Sequence, residues 1–131
     1  MRVQRASIAA WNDEQHVIDN REQYRRKFAQ VAPVLASVLD VKLPDAGFYL
    51  WAAVPARADR SDGYTDDVAF ARGLLAQYNV TVLPGSLLAR AAHGINPGEG
   101  RIRMALVAQT DECAEAARRI VEYTQGLTSN R

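Results

Sequence analysis

The chain is poor in several residue types, and each shortage narrows what it can be. Its 131 residues include one cysteine, Cys113, so no internal disulfide can staple the fold and a packed core has to hold it together. Its two histidines, His16 and His93, lie far apart and beside no cysteine or carboxylate cluster at ligand spacing; no metal site is expected. The formal net charge is only +1, from 16 basic and 15 acidic residues. That balance lacks the electrostatic footprint of a nucleic-acid or anionic-membrane binder. No uncharged apolar run approaches the ~20 residues that span a bilayer. The opening MRVQRASIAAWNDEQ has too few apolar residues between Arg5 and Asn12 for a secretory signal. The expected setting is reducing and cytoplasmic.

What is present is ordinary globular material. A hydrophobic content of 48% with 24% charged residues supports one domain, residues 1–131, with a real core. Val17, Tyr24, Phe28, Val31, Leu35 and Val38 recur at helical spacing, which predicts a long helix from Asn12 as cap, interrupted at Pro33. A shorter helix is expected near residues 3–10. Strands are expected at 41–43, 48–54, 80–85 and 101–107. A helix opening at Thr65 should turn Val68, Ala71, Leu74, Leu75 and Tyr78 inward, and a last helix should run from Thr110 to a stop at Gly126. Few short strands among longer helices predict an α+β fold, a small mostly antiparallel sheet covered by helices.

The sharpest feature is GRIRMALVA, residues 100–108. Ile102, Met104 and Leu106 alternate to one face, which leaves Arg103 with Ala105 and Val107 on the other. A guanidinium stays charged, and burying it unpaired is costly, so something anionic should meet it. The side chain either pairs with a carboxylate of the chain itself, lies exposed on an edge strand, or waits for a ligand's acid group, which the planar fork of arginine suits. Arg101 shares that face but adjoins the glycine loop and is expected in solvent. The loop INPGEG lacks a phosphate-cradle pattern and reads as a flexible connection. Ser86 follows a sharp turn, exposed, yet no histidine or aspartate follows at a triad-like position. Cys113 reads as structural, and Arg21, Arg25, Arg26 and Lys27 as a solvated helix face. The residues supply an anion clamp and no recognisable acid, base or nucleophile.

LPDAGFYLWAAVP, NVTVLPGSLLAR and NPGEGRIRMALVA, in that order and spacing, resemble the C-terminal part of the class I, fold-type I pyridoxal-phosphate aminotransferases. Within that family the likeness is greatest to the succinyldiaminopimelate branch of bacterial lysine biosynthesis, and it runs from about Gln4 to about Tyr123. The resemblance implies that Arg103, followed by Met104 and Ala105, binds the substrate's α-carboxylate. It places Gly47, Phe48 and Tyr49, and the turn Pro84, Gly85 and Ser86, along the mouth of the site. It further implies amino transfer between glutamate and N-succinyl-2-amino-6-ketopimelate, pyridoxal phosphate in the full-length enzyme, and a homodimer.

The family's cofactor-bearing lysine and phosphate-holding residues have no counterpart here. Lys27 and Lys42 are the two lysines, Lys42 within a short expected strand, and neither carries the motif. The expectation is therefore a small C-terminal domain without its large cofactor-binding partner, inactive alone, holding no catalytic or cofactor-binding residue. The alternative is a stand-alone carboxylate-binding α+β module without catalysis.

Overall fold

The computed structural model describes residues 1–56 and 66–129. It begins with two successive helices, α1 (Arg2–Trp11) and α2 (Glu14–Leu35). Asn12 keeps near-helical angles (φ −89°, ψ −5°) as the end of α1, so it cannot also start α2. The N-cap is Asp13 instead, extended, with its carboxylate accepting the Gln15 N–H at 3.1 Å. Pro33 does not interrupt α2. It falls in the final turn, so the distortion from its missing N–H and its ring is confined to the last residues before Leu35.

Val31 and Leu35 are buried, with Tyr24 and Phe28 packed beside them, as the spacing requires. Lys27 departs from its expected solvated face. It lies three residues from Tyr24 on the same stripe, and it is buried. Its Nζ donates to the Leu106 carbonyl at 3.0 Å and stands 5.0 Å from the centre of the Tyr24 ring. An aliphatic stem in the core with a carbonyl for its amine satisfies both ends of the side chain.

Four strands, β1 (Asp40–Val41), β2 (Tyr49–Ala53), β3 (Leu83–Pro84) and β4 (Arg101–Ala105), form one antiparallel sheet in the order β1-β2-β4-β3. Lys42 lies just past β1 and not within a strand. Only the central pair is long; it sets Leu50 opposite Met104 and Trp51 opposite Arg103. The expected strand at 80–85 shrinks to Leu83–Pro84, and Val82 contributes by core packing and not by a ladder. A proline cannot donate to a ladder, which suits β3 to the sheet edge.

After β2 the next helix is α3 (Asp67–Tyr78), capped by the Asp66 carboxylate on the Ala69 N–H at 2.8 Å. The polar loop and the Thr65 start expected here fall largely on residues 57–65, outside the described residues. A short α4 (Gly85–Leu88) follows β3, and α5 (Thr110–Ser129) closes the chain. Glu112 in its first turn accepts the Gln109 N–H at 3.1 Å. Gly126 does not end α5. One helical glycine costs only ~1 kcal/mol against alanine, and buried Tyr123 and Thr124 anchor the turn before it.

The core is one layer between the sheet and α2, α3 and α5. Leu50, Ala52, Ile102, Met104 and Leu106 meet Val31, Leu35, Phe70, Leu74, Ala117 and Ile120. Gly73 lets α3 approach α5, because a Cβ there would overlap the Tyr123 hydroxyl; the Tyr123 ring stands edge-on to Phe70 at 5.1 Å. Leu75, expected inward, is 47% exposed, and Phe70 takes the inward role. The architecture is the expected α+β type. Among the described residues, no helix is long and apolar enough to cross a membrane.

Adjacent leucines of α3 give a direct check. Leu74→Ala should lower unfolding free energy by ~2–4 kcal/mol in urea titrations, whereas Leu75→Ala should change it by under ~1 kcal/mol.

Candidate carboxylate-binding site

Strand alternation decides which side chains can meet on the sheet's second face. Putting Ile102 and Met104 in the core sends Arg101, Arg103 and Ala105 the other way, beside Tyr49, Trp51 and Ala53 of β2 and Leu83 of β3. This face is not closed over by the helices that cover the core. Tyr49 and Trp51 each keep 36% exposure and Leu83 keeps 42%.

Arg103 is half-buried in the middle of that face. Its guanidinium carbon lies 4.5 Å from the centre of the Tyr49 ring. Such a cation–π contact contributes ~0.5–1 kcal/mol and holds the side chain in place without consuming its hydrogen-bond donors. Tyr49 is itself stacked 4.2 Å from Phe48, which reaches back 5.7 Å to Tyr24 of α2. The turn at Gly47, φ +88°, precedes this pair in a conformation that glycine adopts freely. Among the described residues, no carboxylate lies within ion-pair distance of Arg103. The alternative of a pairing acid from its own chain is not what these residues show.

Pro84, Gly85 and Ser86 form the neighbouring rim, and their backbone is what matters. The buried carboxylate of Asp67 accepts the Ser86 N–H at 2.8 Å and the Gly100 N–H at 3.4 Å. Asn96 donates from Nδ2 to the Ser86 carbonyl at 2.9 Å and accepts the Gly98 N–H at 3.0 Å. Gly85 and Gly98 touch backbone to backbone, where a Cβ on either would overlap the other's carbonyl. Residues 96–100 are therefore a braced loop and not the flexible connection expected, and Ser86 is half-buried rather than exposed.

The predicted residues thus fall into two groups on one face. Tyr49 contacts Arg103 directly, with Phe48 behind it and Gly47 turning the chain ahead of the pair, while Pro84, Gly85 and Ser86 reach it through Leu83, its β3 partner, and through Trp51, which packs on Gly85. Sequence reasoning missed Asp67, Asn96 and Trp51, and placed Arg101 in solvent although it is half-buried. One signal was available: Asp66 suffices to cap α3, which leaves a second adjacent acid to explain.

The chain's own amines do not suit a covalently held aldehyde cofactor at this face. The Lys27 amine points into the helix layer, toward Leu106, and Lys42 is exposed beyond β1. No group of acids, histidines or cysteine suited to a metal occurs among the described residues. A groove of about 430 Å³ lies at the α2–α5 junction, lined by Val31, Val80, Leu106, Cys113 and Ala116 among others, away from Arg103. Burial pushes the Cys113 thiol up from its ordinary pKa.

A family model described as aminotransferase class I and II matches residues 2–120. An LL-diaminopimelate aminotransferase of Nitratidesulfovibrio vulgaris is 34% identical over 120 residues, covering 90% of this chain and 28% of that protein. A solved aminotransferase structure from Neisseria meningitidis superposes with a TM-score of 0.80 at 54% identity, covering 92% of this chain and 28% of its own. A probable N-succinyldiaminopimelate aminotransferase from Thermus thermophilus gives 0.67 at 31% identity, over 86% and 27%. The chain thus spans little more than a quarter of the length of these relatives.

Two outcomes check the rim and the buried thiol. Asp67→Ala strands two backbone donors and should cost ~2–4 kcal/mol in denaturant unfolding. A raised thiol pKa keeps Cys113 protonated at pH 8, so native alkylation by iodoacetamide should run at least ~10-fold slower than in urea and accelerate as pH rises.

Proposed function

The chain belongs to the class I and II aminotransferases, and on that premise we propose that it is their small C-terminal domain, whose task is to hold the substrate's α-carboxylate on Arg103. The observation that carries this reading is the state of that side chain: half-buried, backed by the Tyr49 ring, and unpaired by any acid among the described residues. A planar fork with free donors accepts a carboxylate through two parallel bonds, each charge-assisted. The binding fixes the direction from which the rest of the amino acid enters. Tyr49 keeps the fork from swinging into solvent, so less side-chain entropy is lost when the ligand arrives.

In the whole enzyme, pyridoxal phosphate supplies the electron sink for amino transfer. We assign its lysine and phosphate contacts to a large domain, a choice supported by Lys27 being engaged by the Leu106 carbonyl and Lys42 being exposed beyond β1. The family's enzymes work as dimers, and a homodimer is the proposed assembly. The substrate pair we assign is glutamate with N-succinyl-2-amino-6-ketopimelate, a step toward lysine. Supporting this choice is the 31% identity to the Thermus thermophilus protein of that name. Similarity to LL-diaminopimelate aminotransferases supports the same diaminopimelate chemistry.

The 131-residue chain mixed with pyridoxal phosphate and glutamate should form no 2-oxoglutarate above the cofactor-only rate; sustained turnover would refute the domain assignment. In the aminotransferase polypeptide that carries this chain, Arg103→Lys should lower kcat/KM by ~10–100-fold through loss of the bidentate geometry. Unchanged kinetics would remove Arg103 from the site. Faster transfer from unsuccinylated than from succinylated diaminopimelate would overturn the substrate assignment alone.

A further inference from the structure

The strand that carries Arg103 is flanked unequally. β2 pairs with it over its whole length, whereas β3 meets it only through Leu83 opposite Arg103 and Pro84 opposite Ile102. Proline has no N–H, so it gives that short ladder no donor. Backbone pairing alone leaves the β3 side of Arg103 weakly attached. Carried on by two residues, the same register would set Ser86 opposite Gly100, and there the ladder has already ended.

A buried acid stands at that point. Asp67 lies in the first turn of α3, is 3% exposed, and is not needed as the cap, because Asp66 accepts the Ala69 N–H. One of its oxygens accepts the Ser86 N–H at 2.8 Å and the other the Gly100 N–H at 3.4 Å. A single carboxylate thus bridges the chain leaving β3 and the chain entering β4, where strand pairing has given out. Asn96 forms a second bridge, donating to the Ser86 carbonyl at 2.9 Å and accepting the Gly98 N–H at 3.0 Å. Both cross-strand neighbours of Arg103 depend on the bridged turn. Leu83 leads into it, and Trp51 packs its ring on Gly85.

We propose that Asp67 is the positioning residue of the Arg103 clamp: its bridge holds Leu83 and Trp51 on either side of the arginine, and the site's affinity for a carboxylate falls when the bridge is cut. The inference rests on the reading of Arg103 as a carboxylate binder and adds a residue that never touches the ligand. Its physical basis is preorganisation. A fork kept between fixed neighbours has less freedom left to lose when an anion arrives.

The test follows the Arg103 Nε–H NMR signal of the 131-residue chain as butyrate is added. Asp67→Asn keeps the side-chain volume and one acceptor oxygen but loses the other; it should shift the ligand-free Arg103 signal and weaken butyrate binding at least ~5-fold. Asn96→Ala, which cuts the half-buried second bridge, should weaken binding by ~2–5-fold. Ile120→Val in α5 loosens the core away from the turn and should bind butyrate within ~1.5-fold of the unsubstituted chain, which separates positioning from loss of stability. Asp67→Asn binding butyrate as tightly as Ile120→Val overturns the positioning role and leaves Arg103 as the binder; where Asp67→Asn does not fold, the same result for Asn96→Ala does so. An Arg103 signal that butyrate does not move in the unsubstituted chain overturns both readings.

Discussion

A strand at the middle of a two-layer sheet has two faces, and whatever is asked of one is imposed on the other. β4 must deliver Ile102 and Met104 to the core, because among the described residues β2 is the one other long strand that closes against α2, α3 and α5. Alternation then fixes Arg101 and Arg103 on the far side. The hydrophobic effect acting on Ile102 and Met104 thereby positions the arginines that alternate with them, on a strand paired on both sides. A charge carried on a loop could retreat to solvent; one held in this ladder stays aimed.

The surroundings of that strand are arranged to hold geometry without neutralising it. Tyr49 offers a π face, which attracts a guanidinium and leaves its N–H groups free. The buried acid at hand is engaged elsewhere: Asp67 spends its oxygens on the Ser86 and Gly100 amides. In doing so it ties the loop that launches β4 to the turn that follows β3. The Gly85–Gly98 contact completes this brace, since backbones can approach so closely only where neither residue has a side chain. Stability and site geometry therefore share the same few bonds.

The helix layer carries a separate, purely structural burden. Lys27 resembles a catalytic amine only in its chemistry; its hydrogen bond to Leu106 closes the seam between α2 and the end of β4. Cys113 sits in the same seam with a thiol that burial keeps protonated. At the opposite extreme, α1 has no buried residue, and Trp11 is 83% exposed. The chain spans 28% of the Neisseria meningitidis relative.

Periodicity made the helices legible, because 3.6-residue and two-residue repeats are local properties that the chain carries whatever it packs against. From the same logic came the inward set of β4 and the outward Arg103, and the aminotransferase resemblance is the source of the role proposed for it. Boundaries were less legible. Asn12 and Asp13 are equally good caps in isolation, and only the backbone angles at the α1–α2 junction choose between them. The remainder was decided by tertiary structure alone. Lys27 enters the core because a distant carbonyl, 79 residues on, is there to receive it, and Asp67 is buried because the Ser86 and Gly100 amides, 19 and 33 residues on, meet its oxygens. Such pairings join residues remote in sequence, where no local pattern can report which donor will meet which acceptor.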